Sequence, residues 1–466
     1  MALSENFSTS ECYFESCINF LSDFEWLYNF SNTELLVKNV LEHFPIEWKM
    51  CFNNMTYDEL CHMPAGEINE TWPSSLKQFF KELNALKPRF SYTECISSNH
   101  KNLQDDLGRH ATGMSKKKQH EVLNLVKQIE QYCDDVNVIV DVGSGLGYLS
   151  QFLHEKCGFH VLGIEADETN IRSAKARQMK WFPKSLDKVL YVQHRVTPKS
   201  CSAINEYLKN TGWDLTNGVC MVGLHTCGDL VASAIDIFNS SSFLKKLVVM
   251  PCCYHRMQFE NIDGAEIFQN FPSSKILKQK FESARCTKYF RRPFLRLACQ
   301  QRPGVWESFD GFELEARSFR LLSRSILELY VKKENLLLVK NKRKATKKNG
   351  SKNCFQNFLT DVEIGYTIKH LFEFNGTSEH EFAKHSNEMT RLWQSRIDEP
   401  VDIKLLSGAL LVLQACMQPV CENLLLLDKV ERLNESNVVE NAKFIKIANE
   451  AISARCFCLV ASKKDL

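Results

Sequence analysis

The chain has 466 residues, of which 44% are hydrophobic, and a formal charge of +2 at pH 7. This length and composition suit a globular protein of one to three domains, and the near-neutral charge excludes a global basic field that would attract nucleic acid. Because no basic segment precedes an apolar stretch in 1–20 and no run of eighteen apolar residues occurs, neither secretion nor a membrane span is expected.

The 19 cysteines are expected to be reduced thiols in a cytoplasmic or nuclear protein. Residues 1–110 predict a helical N-terminal domain, since apolar residues recur there at helical spacing between prolines. A basic segment at Lys116–Lys118 then opens an amphipathic helix that ends before the next strand. Its lysines either contact an anionic group of a ligand or lie in solvent.

The most informative segment is a strand, a glycine-rich turn, a helix and a second strand that ends in an acid. Apolar residues at 138–142 predict a buried strand, and the glycines that follow predict a turn without Cβ atoms. In such a unit, backbone N–H groups and the helix N-terminus face a ligand, and the closing carboxylate accepts hydrogen bonds from ribose hydroxyls. The unit predicts a nucleoside-bearing cofactor.

The glycine spacing selects the class of cofactor. A dinucleotide fingerprint is G-x-G-x-x-G, whereas this chain has G-x-G-x-G. An acid at the end of the first strand would repel a pyrophosphate but attract the sulfonium and amino group of S-adenosylmethionine. The alternative is an ordinary strand-to-helix turn. We expect S-adenosylmethionine, with these candidate binding residues: Asp141, Gly143, Ser144, Gly145, Gly147, Glu165 and Ala166.

Helices and short apolar strands alternate as far as residue 250, which predicts a parallel sheet with crossover helices. Largely helical sequence follows, and two strand candidates at 443–448 and 456–460 are expected to pair as a closing hairpin. The predicted class is α/β, a Rossmann-like methyltransferase sheet with a helical N-terminal domain and a helical insertion. The predicted segments are 1–110 (N-terminal domain), 111–258 (Rossmann-like core), 259–438 (mainly helical insertion, with a basic loop at 341–352) and 439–466 (closing strands).

Two motifs rich in cysteine and histidine follow the fourth and fifth predicted strands. His225 and Cys227 belong to the first motif, and Cys252, Cys253 and His255 belong to the second. Ligands of open α/β sheets bind outside the carboxyl ends of the strands, so these side chains are expected near the reacting methyl group. We take His225, Cys252 and His255 as candidate catalytic residues, because a neutral imidazole accepts or orients a proton near pH 7.

The same motifs contain residues of the type that binds zinc. His225, Cys227, Cys252 and His255 are weak zinc candidates, with Cys253 as a substitute. Adjacent cysteines do not easily chelate one ion, and a buried thiol is usually a small hydrophobic side chain. The sequence therefore predicts no resident metal.

Five motifs taken together resemble those of the methyltransferase-like protein twenty-five family, over about residues 20–463. The motifs are residues 114–122, 141–147, 223–230, 252–255 and 455–461. The resemblance implies a class I methyltransferase fold, S-adenosylmethionine binding and methyltransferase activity. An adenine-N6 dimethylase would need an Asn/Asp-Pro-Pro-Tyr/Phe motif where this chain has residues 224–227, so that chemistry is not expected. The residues after the third strand, 194–197, include no acid, which leaves the adenine contact unassigned.

The sequence thus predicts an S-adenosylmethionine-dependent methyltransferase with a macromolecular acceptor, either RNA or protein. The lysine-rich segments and a distant similarity to tRNA 2′-O-methyltransferases favour RNA, whereas near-neutral charge favours protein. The alternative is a catalytically inactive methyltransferase fold that serves as a binding scaffold, because fold alone does not establish activity.

Overall fold

The computed structural model describes residues 3–88, 108–341, 354–370, 379–398 and 402–464. The predicted basic loop at 341–352 therefore lies almost entirely outside the described residues. The helices are α1 (Ser10–Asp23), α2 (Ile46–Asn53), α3 (Tyr57–His62), α4 (Ser74–Leu86), α5 (Lys116–Tyr132), α6 (Tyr148–Cys157), α7 (Glu168–Trp181), α8 (Cys201–Lys209), α9 (Leu230–Ser240), α10 (Lys275–Ala284), α11 (Arg292–Ala298), α12 (Gly311–Lys333), α13 (Phe355–Gly365), α14 (Glu379–Trp393) and α15 (Asp402–Asn434). The strands are β1 (Val138–Val142), β2 (His160–Glu165), β3 (Val189–Gln193), β4 (Val219–Cys227), β5 (Leu244–Cys252), β6 (Phe259–Ile262), β7 (Ala265–Phe268), β8 (Leu336–Lys340), β9 (Tyr366–His370), β10 (Val439–Lys446) and β11 (Phe457–Lys463).

Seven of these strands form one sheet in the order β10-β11-β5-β4-β1-β2-β3. The parallel part of the sheet consists of β5, β4, β1, β2 and β3, in that spatial order. β11 pairs antiparallel with both β5 and β10. The predicted parallel sheet with a closing antiparallel hairpin is confirmed. This strand order reverses between β1 and β4, which is where open α/β sheets bind their ligands.

The sheet forms because its central strands are apolar on both faces. Every residue of β1 is buried, as expected for a parallel strand covered by helices on both sides. One hydrophobic cluster joins α5, α6 and the strands through residues such as Leu125, Phe152 and Val222, and α9 packs against β4 and β5. The carboxyl ends of the parallel strands are thereby held on a fixed frame.

The chain divides into two compact units. The sheet unit contains Met1–Ser22, Ala85–Arg302 and Gln418–Leu466, and the helical unit contains Asp23–Asn84 and Pro303–Met417. This division differs from the four predicted segments, because most of the N-terminal helical residues and most of the predicted insertion form one unit together. The region 259–298 instead belongs to the sheet unit.

The helical unit has an aromatic core. Trp48 and Phe79 are almost fully buried, and their ring centroids are 5.6 Å apart in an edge-on arrangement. A capping box at Thr56 and Glu59 starts α3. The unit also contains the small hairpin of β8 and β9.

One helix of the described residues, Ile403–Asn434, is long and apolar enough to cross a membrane. However, 94% of its most apolar window is buried inside the protein, as in the core helix of a folded domain. The sequence count of consecutive apolar residues did not detect it, because polar residues such as Gln414 and Gln418 interrupt the run.

Candidate functional site

The glycine-rich turn after β1 is bonded to β2. The N–H groups of Gly143 and Ser144 both donate to the carbonyl oxygen of Ile164, at 2.8 and 3.1 Å. The N–H group of Gly147 donates to the backbone carbonyl oxygen of Ser144 at 2.9 Å. The sequence predicted that turn N–H groups face a ligand, but these are hydrogen-bonded within the chain. These three backbone N–H groups are therefore not free to bind a ligand, and the turn contributes mainly the shape of the site.

Positive φ angles explain the three glycines of the turn. Gly143, Gly145 and Gly147 have φ angles of +74°, +57° and +71°, a region that other residues rarely adopt. At Gly147 a Cβ atom would also lie 2.1 Å from the hydroxyl oxygen of Tyr191. These glycines are required by the backbone, whether or not each of them touches a ligand.

Glu165 closes β2 and fixes the turn. One carboxylate oxygen accepts from Gly145 N–H at 2.9 Å, and the other accepts from Asp167 N–H at 3.0 Å. Each carboxylate oxygen has a second lone pair that can accept a ribose hydroxyl. The backbone N–H groups thus orient this carboxylate before any ligand arrives.

Asp141 lies beneath the turn and is 1% exposed. Its carboxylate accepts a hydrogen bond of 2.6 Å from Ser150. Burial raises its pKa to about 6, although the Ser150 hydrogen bond and the Lys118 charge act in the opposite direction. Ionisation of Asp141 therefore costs free energy, and a nearby cation reduces that cost.

A cavity of about 500 Å³ lies at the carboxyl ends of the strands. Gly143, Glu165 and Ala166 line it, whereas the other predicted cofactor residues shape the turn beneath it. The segment 194–198 lines a further part of the cavity. The volume falls in the range typical of small-molecule sites.

A short hairpin forms one wall of this cavity. Asp229 accepts hydrogen bonds of 2.8 Å from Gln258 N–H and from the side chain of Asn270, which flank β6 and β7. Gln258 and Asn270 both line the cavity. The sequence placed the boundary of the core at 258 and did not predict this wall.

His225 pairs with a buried acid that the sequence analysis did not select. His225 Nε2 lies 3.3 Å from a carboxylate oxygen of Glu121, which is 1% exposed. The hydroxyl of Ser453 donates to the other oxygen of Glu121. Burial raises the pKa of Glu121, but the hydrogen bonds from His225 and Ser453 outweigh burial and hold the pKa below its usual value. The carboxylate is therefore ionised beside the imidazole.

Three thiols meet where β4 and β5 end. The Sγ atoms of Cys227, Cys252 and Cys253 all lie within 4.8 Å of one another, and those of Cys227 and Cys252 are 3.1 Å apart. Hydrogen bonds from Cys227 and Cys252 lower the pKa of Cys253 far below its usual range, so the cluster stabilises a thiolate. The structure thus brings together the two adjacent cysteines that the sequence analysis considered poor joint ligands.

The predicted histidine ligands lie elsewhere. His255 Nδ1 is 3.5 Å from Cys299 Sγ, and His225 faces Glu121. Cys252 is only 2% exposed, so the structure does not support the acceptor-facing role predicted for it. Of the predicted catalytic residues, His225 is the one that combines partial exposure with a carboxylate partner.

The basic start of α5 lies beside the turn helix. Lys118 Nζ is 4.7 Å from the ring centroid of Tyr148, and Arg177 packs on the same ring at 4.2 Å. Burial lowers the pKa of Lys118, while the charges of Glu121 and Asp141 raise it. Lys118 is thus a cation close to the acids of the site, and is not a fully solvated lysine.

Three features of the site are suited to binding S-adenosylmethionine. The Ser144 hydroxyl is buried and has no hydrogen-bond partner among the described residues. Glu165 is oriented on the cavity wall, and Gly143 lines the same cavity where an added Cβ atom would lie 3.2 Å from the side chain of Leu230. A buried orphan hydroxyl and a preoriented carboxylate are what a bound nucleoside would satisfy.

Comparisons with known proteins agree with this geometry. A family model described as a methyltransferase domain matches residues 117–260. The Mus musculus protein named probable methyltransferase-like protein 25 is 22% identical over 521 residues, which cover 83% of this chain and 81% of that protein. The Homo sapiens protein of the same name is 24% identical over 258 residues, which cover 53% of this chain and 37% of that protein.

Among solved structures, CalS10 of Micromonospora echinaspora, an amino pentose methyltransferase with bound SAM, is 18% identical with a TM-score of 0.21. The match covers 32% of this chain and 56% of that chain. The sheet order β10-β11-β5-β4-β1-β2-β3, with β11 antiparallel to β5, is that of a Rossmann-like methyltransferase fold. The chain thus contains a methyltransferase domain at residues 117–260 and is similar in sequence to proteins named probable methyltransferase-like protein 25.

Proposed function

We propose that this chain transfers a methyl group from S-adenosylmethionine to a macromolecular acceptor. The observation that carries the proposal is the Glu165 carboxylate, held by two backbone N–H groups on the wall of a cavity of about 500 Å³. The cofactor supplies the methyl group on a sulfonium. The chain's own residues bind the cofactor, position the acceptor and accept its proton.

We assign the cofactor contacts by position in the cavity. Glu165 accepts from the ribose hydroxyls, and the segment 194–198 lies along the wall where the base would pack. Asp141 and Lys118 act through charge on the amino-acid portion, because both lie beside the turn. Gly143 lines the cavity without a side chain of its own.

His225 is the proposed proton acceptor. Its side chain is 36% exposed, and the ionised carboxylate of Glu121 lies 3.3 Å from Nε2 and orients the ring, which leaves Nδ1 to take the proton. Glu121 acts through His225 and is a positioning residue. His255 remains a candidate catalytic residue that would contact the methyl acceptor. Cys252 belongs to the thiol cluster formed by Cys227, Cys252 and Cys253.

The acceptor we favour is RNA. Arg195 and Arg256 line the cavity with exposed side chains, and their guanidinium groups suit phosphate oxygens. Protein is the competing acceptor. For location we propose the cytoplasm or nucleus, which the free thiols of all the cysteines described by the structure support.

The first test is calorimetric titration of the purified chain with S-adenosylhomocysteine. Replacement of Glu165 by Ala should weaken binding by about 1.5–3 kcal/mol, because a hydrogen bond to a charged group is lost at each hydroxyl. The matched control is Glu168→Ala, three residues further along the chain and exposed at the start of α7, which should bind as the wild type does.

Saturable binding that only the Glu165 variant weakens would support the cofactor site. Radiolabelled methyl transfer into cell extract, with nuclease or protease treatment of the product, then distinguishes RNA from protein. Failure of the folded wild type to bind would contradict the proposal and favour a binding scaffold that has kept the fold.

A further inference from the structure

The thiol cluster has the dimensions of a metal site. Among the described residues, Cys227, Cys252 and Cys253 form a group of three metal-ligating side chains whose Sγ atoms all lie within 4.8 Å. In a tetrahedral zinc site with Zn–S bonds of about 2.3 Å, ligand sulfurs are about 3.8 Å apart. Adjustments of about 1 Å or less would bring these sulfurs to that spacing.

The backbone holds the three thiols in this arrangement. Cys227 and Cys252 are paired neighbours at the ends of β4 and β5, and Gly228 N–H donates to the Cys252 carbonyl at 3.1 Å. Cys253 has a φ of +50°, a conformation that side-chain-bearing residues adopt at a cost. This conformation lets two adjacent cysteines direct their thiols to one point, which an extended strand would not.

We propose that Cys227, Cys252 and Cys253 bind one zinc ion. Soft thiolates select zinc over magnesium or calcium. The nearby Arg455 donates to the Cys299 carbonyl at 2.7 Å, and its positive charge offsets the excess negative charge of three thiolates around a divalent ion. The prediction from sequence of no resident metal is revised by this proposal.

The fourth position is left to a ligand from outside the chain. His255 is engaged with Cys299 and His225 with Glu121, so neither histidine completes the set. Three protein ligands with an open position are typical of zinc that takes part in chemistry. Because Cys227 also lines the cavity, the ion borders the proposed cofactor site, and only a role for the ion beside the reacting methyl group rests on the proposed function.

The test is the zinc content of the full-length chain, purified under reducing conditions without chelator and measured by inductively coupled plasma mass spectrometry. One zinc per chain is expected for the wild type, and Cys227→Ser and Cys253→Ser should each weaken zinc binding at least tenfold. The matched control is Cys201→Ser, a partly exposed cysteine in α8 outside the cluster, which should keep its zinc.

Cobalt exchanged into the site provides a second readout. Thiolate-to-cobalt charge-transfer absorption in the near ultraviolet should appear in the wild type and in His255→Ala. Added imidazole should change the visible cobalt bands by occupying the open position. Loss of metal in His255→Ala, or bands insensitive to imidazole, would overturn the open fourth position.

S-adenosylhomocysteine titration of the same samples reports folding and separates the two proposals. Wild-type protein that binds the nucleoside but takes up neither zinc nor cobalt would overturn the metal site alone. Protein that binds zinc but not the nucleoside would overturn the proposed function and leave the metal site standing. If a cysteine variant does not fold, chelator-stripped wild type reloaded with cobalt gives the deciding spectrum.

Discussion

Asp141 is a residue whose burial opposes stability. Because burial raises its pKa to about 6 from an ordinary value near 3.8, the folded chain binds a proton that the unfolded chain releases between those values. Its contribution to stability is therefore greatest below about pH 4 and is lost as the pH rises through 6. At neutral pH this carboxylate costs the protein free energy.

We expect Asp141→Asn to stabilise the protein at pH 7 by up to about 3 kcal/mol, because no charge is then buried. The same change should weaken S-adenosylhomocysteine binding by about 1 kcal/mol, because the amino group of the ligand loses a nearby anion. Urea denaturation and calorimetry between pH 5 and 8 measure both effects.

Wild-type affinity for the nucleoside should decline below about pH 6, as Asp141 takes up its proton, and the variant should lack this decline. The control is Asp134→Asn, an exposed acid before β1. A variant that loses both stability and binding would show that the carboxylate is needed for the fold instead.

The site residues that could be predicted from sequence belong to one continuous segment. Glu165 and the glycines were predicted because strand, turn and carboxylate follow one another along the chain. Glu121 was not selected, since its partner Ser453 is 332 residues away in sequence and no local pattern links them. The meeting of the two adjacent cysteines also depends on a backbone angle at Cys253 that residue type does not predict.

The turn between β1 and α6 is the element whose backbone is most constrained. We expect Gly147→Ala to destabilise the chain by about 3 kcal/mol, because a Cβ atom would meet the Tyr191 hydroxyl at 2.1 Å in addition to the cost of φ +71°. Gly158→Ala is the matched control at the end of α6. It has φ +78° and no heavy atom within 4 Å of the added carbon, so only a backbone cost of about 1 kcal/mol is expected.

Urea denaturation midpoints compare the two glycine variants. Equal losses of stability would contradict the proposed contact with Tyr191. The Tyr191 ring is held by a 3.1 Å hydrogen bond from Gln151 to its hydroxyl, so it cannot simply swing aside.

The spacing of apolar residues predicted the helices and strands of the sheet well, but it predicted the residues at which they end less well. The parallel strands and their helices were predicted because apolar runs and helical spacing alternate, but β4 continues to Cys227 and β5 to Cys252. Strand pairing continues through polar and cysteine residues that were predicted to follow the strands. The hairpins β6–β7 and β8–β9 were not predicted, because each is too short to give a clear alternation.

At the scale of the whole molecule, a buried ion pair links distant parts of the sheet unit. Arg302 contacts Glu422 and lies 2.8 Å from Glu450, and Glu422 also accepts from the Tyr254 hydroxyl at 3.3 Å. Both Arg302 and Glu422 are almost completely buried. Removal of one partner would leave an uncompensated charge in the interior.

We therefore expect Glu422→Ala to cost about 3–5 kcal/mol of stability. Glu450→Ala is the comparison, because Glu450 is 27% exposed and its loss leaves Arg302 paired with Glu422. The cost there should be about 1 kcal/mol or less. Thermal unfolding followed by circular dichroism measures both, and an effect at Glu450 as large as that at Glu422 would refute this account.

The division into units could not be predicted from composition. The sequence suggested a separate N-terminal domain because its helices precede the glycine unit and contain their own apolar residues. In the structure, Asp23–Asn84 forms a compact unit with Pro303–Met417, which follows the parallel strands in sequence. Long-range grouping of this kind depends on packing between helix faces, which a single sequence does not specify.

The position of β11 in the sheet has a consequence for biosynthesis. β5 pairs on one side with β4, which precedes it, and on the other with β11, which lies near the last described residue. While the chain emerges from the ribosome, the outer edge of β5 stays an open template for the backbone of another molecule. A chaperone that shields this edge until β11 has been synthesised would therefore have a larger effect on the yield of active protein than on the stability of the finished fold.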